Sequence, residues 1–157
     1  QHFSILPEGT LMVSSIEFGE KITGEANLLF PANKMRSFIN LCVDQPQHMD
    51  AGDLNFTDMD YDIIREIGNI ILNSILGEIS NTFDISLKYT LPEVNLFDRN
   101  NFKDNLKNRK DGYILLLYIT FIIEDVKIEG AVIINLTLDS LNELMKMARK
   151  MEDDING

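Results

Sequence analysis

The chain has 157 residues, 45% of them hydrophobic and 25% charged, enough for one domain whose core removes roughly two-thirds of the unfolded surface from water. These proportions exclude collagen, a coiled coil and wholesale disorder. A formal net charge of −11 repels phosphate backbones and anionic headgroups, so neither nucleic acid nor a membrane is an expected partner.

The chain opens on Gln1 rather than Met, with no basic stretch leading into an apolar core, which reads as a trimmed start. A strand-like run, "TLMVSSIEF", follows, then the turn "GE" and a second run from Lys21. Pro31 suits an early helical position, and the helix it opens runs to Cys42. A single cysteine forms no internal disulfide; it reads as a small buried hydrophobe and fits a reducing, cytoplasmic setting. The linker "VDQPQHMDAGDLNFTD" is polar. His2 and His48 stand far apart with no Cys or His at ligand spacing, which argues against a protein-borne zinc. The chain has no phosphate-cradling glycine loop and no serine elbow.

A long helix is expected over about 58–80, then a strand-like "DISLKYT". At 100° per residue Asp62, Glu66, Asn69 and Asn73, spaced by 4, 3 and 4, fall on one line. Ile63, Ile64, Ile67, Ile70, Ile71, Ser74 and Ile75 supply a wide dry face. Glu78 points toward that face, so a bend or frayed end is expected near Gly77. The plain reading of the polar line is the solvated edge of a helix lying on a sheet. Two features point further. Three of the four residues are Asp or Asn, poor helix-interior residues that compete for backbone bonds. Gly68 beside them costs roughly 1 kcal/mol against Ala, which points to close approach by another backbone or a partner.

The stretch from Glu93 to Gly112 contains "DRNNFKDNLKNRKDG", too polar to pack and long for a loop, hence mobile or a short surface helix. "YILLLYITFII" is about half the roughly 20 residues of a membrane span, and its β-branched and aromatic content favours a buried strand. The turn "ED" leads into a repeat. "KITGEANLLFPANKMRSFINLC" (21–42) lies over "KIEGAVIINLTLDSLNELMKMA" (127–148) at an offset of 106. The overlay pairs Ile22 with Ile128, Gly24 with Gly130, Leu28 with Ile134, Phe30 with Leu136, Met35 with Leu141 and Phe38 with Leu144.

Each copy follows another strand, so the unit is strand, strand, helix, over 10–42 and 116–148, with Thr137 or Asp139 capping the second helix. The expected fold is a single α+β domain spanning 1–157. Duplicated strand-strand-helix units form its antiparallel sheet, helices pack on that sheet, and the two repeat helices are related by an approximate two-fold axis. No counterpart of the long helix follows the second copy.

Asp62, three residues, Glu66, two residues, Asn69, then twenty-two residues to Pro92 match the motif of the chemotaxis phosphatases CheC and CheX and the flagellar-switch protein FliY: Asp or Ser, x3, Glu, x2, Asn, x22, Pro. "EIGNI" at 66–70 and "LPEV" at 91–94 are also similar to that family. The chain resembles it over most of its length, and the single motif helix is CheX-like. The resemblance implies hydrolysis of the aspartyl phosphate on a CheY-type response regulator. Mg²⁺ and a lysine sit on the receiver, and no cofactor is bound by this chain.

On that reading Asn69 orients the attacking water and Glu66 pairs with the receiver lysine. Asp62 extends the partner contact or caps the helix, and Asn73, outside the motif, is solvated surface at the edge of the partner-binding line. Gly68 and Pro92 are structural, Pro92 as a stop. The other reading is a non-catalytic flagellar-switch or scaffold module that binds phosphorylated receivers. A CheX-like homodimer and a CheC-like monomer that pairs with CheD both stay open.

Overall fold

The structure, a computed structural model, describes residues 9–42, 54–107, 112–123 and 125–156. The chain start, His48 and most of the polar linker lie outside the described residues, as does the side chain of Cys42. In chain order the elements are β1 (Thr10–Glu20), β2 (Gly24–Pro31), α1 (Ala32–Cys42), α2 (Asp58–Phe83), β3 (Leu87–Tyr89), β4 (Glu93–Asp98), α3 (Arg99–Lys107), β5 (Gly112–Ile123), β6 (Val126–Thr137) and α4 (Leu138–Asn156).

Apolar runs make β1 and β2 one hairpin and β5 and β6 another, and the two hairpins join along β2 and β6. β5 is an edge strand, and Ile114, Leu115, Tyr118 and Ile122 are exposed on it, which corrects the buried strand expected there. The resulting antiparallel sheet runs β3-β1-β2-β6-β5, with β4 also on β1. In the β2–β6 ladder Asn27 stands opposite Ile133, its own counterpart in the repeat, so a local two-fold axis passes between them. The glycines of the repeat obey that axis. A Cβ on Gly24 would collide with the carbonyl oxygen of Asn135, and one on Gly130 with that of Leu29, the counterpart of Asn135. Both positions bring two backbones together too closely for any side chain.

The hairpins differ in their turns. Glu20 still pairs with Leu87, so the first turn falls at Lys21–Thr23 and not at Gly19–Glu20. Pro31 ends β2 one residue ahead of α1, and Thr137, not Asp139, caps α4, its Oγ1 accepting from the Ser140 N–H at 3.1 Å. α4 continues past the repeat to Asn156, and its residues from Ala148 onward are exposed.

Period-two alternation splits the core between the two faces of the sheet. One face carries Met12, Ile16, Phe18, Leu28, Phe30, Val132 and Ile134 under Met35, Phe38 and Ile39 of α1, Ile64, Leu72 and Leu76 of α2, and Leu141, Leu144 and Met147 of α4. Each of the fully buried side chains among them is worth about 1.5–3 kcal/mol. The other face, with Leu11, Val13, Leu29 and Ile133, is closed by α3.

α3 is the short surface helix, one of the two readings of 93–112, but the stretch also packs. β4 pairs with β1 from Thr10 to Ser15, and α3 buries Phe102 to 3% exposure with its ring 5.7 Å from that of Phe97. Phe102 anchors this mostly polar helix on the sheet. The strand expected over "DISLKYT" is confined to Leu87–Tyr89. Between β3 and β4 three residues, Thr90 to Pro92, stand opposite only Ile16 and Glu17, which makes a bulge. The buried Pro92, which has no N–H to offer a ladder, sits in that bulge.

Candidate functional site

The long helix α2 is fixed at its start by a buried network. Thr57 is the N-cap: its Oγ1 accepts from the Asp60 N–H at 3.1 Å, while Asp60 Oδ2 accepts from the Thr57 N–H at 2.9 Å. This is a capping box with Asp in the usual Glu or Gln position. Arg36 of α1, only 2% exposed, completes it. Its Nη1 donates to Asp60 Oδ2 at 3.1 Å, its Nη2 donates to the Asn55 carbonyl at 3.0 Å, and its guanidinium lies 4.4 Å from the centre of the Phe56 ring. The cap therefore belongs to Thr57 and Asp60. Asp62 does not cap the helix; it lies a turn further on, exposed and paired with Arg65 at 2.9 Å.

Midway along, Gly68 lies over β1. A Cβ there would stand 2.6 Å from Ser14 Oγ and 2.8 Å from Ser14 Cβ, so the helix can lie this close only with a glycine. At the far end Asp84 takes a left-handed conformation at the C-cap, its N–H and that of Ile85 return to Ser80, and the Ser80 hydroxyl donates to the Ile85 carbonyl.

The buried residues of α2 are Asp60, Ile64, Gly68, Leu72 and Leu76, in steps of four. Four residues turn an α-helix about 40° beyond a full circle, so the buried line winds around the rod. The line Asp62, Glu66, Asn69, Asn73 stays nearly straight. The two converge toward the C-terminal half. Asp62 and Glu66 are consequently exposed, whereas Asn69 and Asn73 are half-buried.

The same winding overturns two expectations. Ile70 and Ser74, assigned to the dry face, are exposed, Ile70 at 57%. Glu78 also points to solvent, and the helix runs past Gly77 without interruption to Phe83. By the last turns the buried line has rotated away from the side on which Glu78 projects.

On the outer line the chemistry is spare. Glu66 has no ion-pair partner among the described residues. Asn69 Oδ1 accepts a hydrogen bond from Asn73 Nδ2 at 3.2 Å, and the Asn69 NH₂ is unused among the described residues. A carboxylate and an amide one turn apart, about 5–6 Å between Cβ atoms, can together hold a cation and orient a water molecule. Among the described residues no three His, Cys, Asp or Glu side chains cluster to hold a metal, and no helix is long and apolar enough to cross a membrane.

No family model matches the chain, and neither does any curated protein sequence. Solved structures do match. FliY of Thermotoga maritima superposes with a TM-score of 0.69 at 13% identity, covering 92% of this chain and 73% of FliY. CheX in the CheX–CheY–BeF₃–Mg²⁺ complex of Borrelia burgdorferi superposes with a TM-score of 0.53 at 17% identity, covering 81% of this chain and 75% of that one. The fold is CheC/CheX/FliY-like. Within this CheC-like fold, the duplicated hairpins expected from the repeat form the sheet, and the motif helix is the longest element on its helical face.

The sequence reading did not single out Arg36, Asp60, Thr57 or Ser14, which hold the helix in place. The pattern Thr57-x-x-Asp60 is a helix-start signal that could have been found. Nothing local to Arg36 or Ser14 announces a contact made across the fold.

Proposed function

We propose that this chain hydrolyses the aspartyl phosphate of a CheY-type response regulator, with Asn69 orienting the attacking water and Glu66 pairing with the receiver's lysine. One observation carries the reading. Among the described residues, a carboxylate without an ion pair and an amide with an unused NH₂ stand one turn apart on the outer line of a helix held at both ends, at the spacing of the family motif. An acyl phosphate is already reactive, and the receiver supplies Mg²⁺ and a lysine to the phosphoryl oxygens. The missing contribution is a water positioned for in-line attack, which is a matter of orientation more than acid strength.

A neutral amide suits that place. Its carbonyl oxygen accepts from the water while its NH₂ donates, and it adds no charge beside a crowd of anionic oxygens. Glu66 fixes the register of docking through a charge-assisted bond. The chain's negative charge opposes a receiver's acidic pocket at long range, so the complex forms transiently and depends on ionic strength. The chemistry belongs in the cytoplasm, where receivers are phosphorylated.

The test is phosphate release from a receiver charged with acetyl phosphate and Mg²⁺, in the presence of the wild type, Asn69→Ala or Glu66→Ala. Asn69→Ala is expected to lower turnover about 10²-fold. Glu66→Ala is expected mainly to raise KM. Equal rates in all three remove the catalytic assignment, and stable phosphorylation-dependent binding without hydrolysis would establish the scaffold reading instead.

A further inference from the structure

We infer that Asn73 is a positioning residue that sets the orientation of the Asn69 amide; the inference rests on the phosphatase reading and deepens it. Asn73 lies outside the four-residue motif, one turn beyond Asn69. Its Nδ2 donates to Asn69 Oδ1 at 3.2 Å. The other end of the same amide is in an unfavourable place: Asn73 Oδ1 is shut off from solvent and accepts no hydrogen bond from any described residue. A dry, unpaired acceptor costs stability, and a leucine, which has the same branched skeleton with two methyl groups in place of the amide's oxygen and nitrogen, would carry no such cost. Folding therefore gives no reason for an amide at this position. The hydrogen bond to Asn69 does.

The need for it follows from the asparagine torsion. The bond to the terminal amide has a broad, roughly two-fold profile, so an untethered Asn69 would turn its oxygen and its NH₂ through many directions. With one lone pair of Oδ1 held by Asn73, the amide plane is fixed. The remaining lone pair and the NH₂ are then the groups left to meet a water and a partner. Donation into the oxygen also polarises the amide, which makes that NH₂ a better donor. Winding of the buried line is what makes this possible. It half-buries Asn69 and Asn73 together while leaving Glu66 in solvent, so the pair sits where water competes less for its hydrogen bond.

The decisive variant is Asn73→Leu, assayed with a receiver charged by acetyl phosphate and, for docking, with the same receiver loaded with BeF₃ and Mg²⁺. Expected are a melting temperature equal to or above wild type, unchanged docking, KM within about twofold, and kcat lowered about tenfold or more. Asn73→Gln, which keeps a donor able to reach back one turn, is expected to recover most of the lost kcat.

In the Asn69→Ala background, Asn73→Leu is expected to cost nothing further, because its effect passes through Asn69. Full kcat in Asn73→Leu, with Asn69→Ala inactive, overturns the role of Asn73 and leaves the phosphatase reading standing. A wild type no faster than Asn69→Ala removes both. Loss of docking or of helix content in proportion to kcat overturns positioning in favour of a contact or structural role.

Discussion

Replacing Gly68 with alanine separates two opposite expectations. In an ordinary helix interior the change gains about 1 kcal/mol of helix propensity. Here the new Cβ would stand 2.6 Å from Ser14 Oγ and 2.8 Å from Ser14 Cβ. Carbon atoms rest at about 3.5–4.0 Å, so α2 must lift from β1 by about 1 Å or the strand must yield, and a Cβ cannot swing aside as a side-chain tip can. Overpacking of this kind costs about 1–3 kcal/mol. The net result is a protein up to about 2 kcal/mol less stable, read as a lower urea midpoint at unchanged m.

Ser14→Gly removes both colliding atoms, and in that background Gly68→Ala is expected to raise the midpoint, reversing its sign. Turnover follows the same logic. A lift of about 1 Å moves the neighbouring Asn69 and is worth up to about 10²-fold, recovered in the double variant. A Gly68→Ala protein more stable than wild type in an otherwise unchanged chain would refute the close approach.

Arg36→Met leaves Asp60 buried without its cation, and a loss of about 3–5 kcal/mol is expected in urea unfolding, with faster hydrogen exchange at the Asp60 and Tyr61 amides as the first turn of α2 loosens. Phe102→Ala is expected to cost about 3–5 kcal/mol by the same measurement. Because Phe102 closes the face of the sheet opposite α2, turnover by the folded fraction should equal wild type. Glu66→Ala lies on the outer line and is expected to stay within about 0.5 kcal/mol of wild-type stability. Asn69→Ala orphans the Asn73 Nδ2 donor and is expected to cost about 1 kcal/mol, too little to unfold the protein, so an effect of either on turnover is not an effect on folding.

The hairpins were legible from apolar runs beside short turns, with period-two alternation in parts of β1 and β6, and the duplication because the two copies bury equivalent positions about one axis. The alternation in Glu93–Asp98 carries the same signal over six residues, with Val94 and Leu96 turned to the core, but the charges that follow it obscured it. Wheel arithmetic placed the polar line of α2 correctly as a line and misplaced Ile70, Ser74 and Glu78, since it treats the dry face as parallel to the axis. On this sheet it winds with the four-residue steps of the buried set. The clamp on the start of α2 joins Arg36 to Asp60 across the linker, and the seat of Gly68 joins it to Ser14, 54 positions earlier. Such pairs are specified by packing, which neither local propensity nor local pattern records.

The two lines on α2 divide the work of the helix. Asp60, Ile64, Gly68, Leu72 and Leu76 face the fold, and each is held by something particular: a buried guanidinium, the core, or a serine one atom away from collision. Asp62 and Glu66 face outward into solvent, and the half-buried Asn69 is held only by Asn73 among the described residues. A residue on the inner line should therefore change stability and, through displacement of the rod, turnover. An exposed residue on the outer line should change turnover alone. Asn73 is the point where the lines converge, half-buried and with one end of its amide unsatisfied among the described residues. It is there that removing a polar group should raise stability and lower turnover at once, an opposition that neither a structural residue nor a plain surface residue produces.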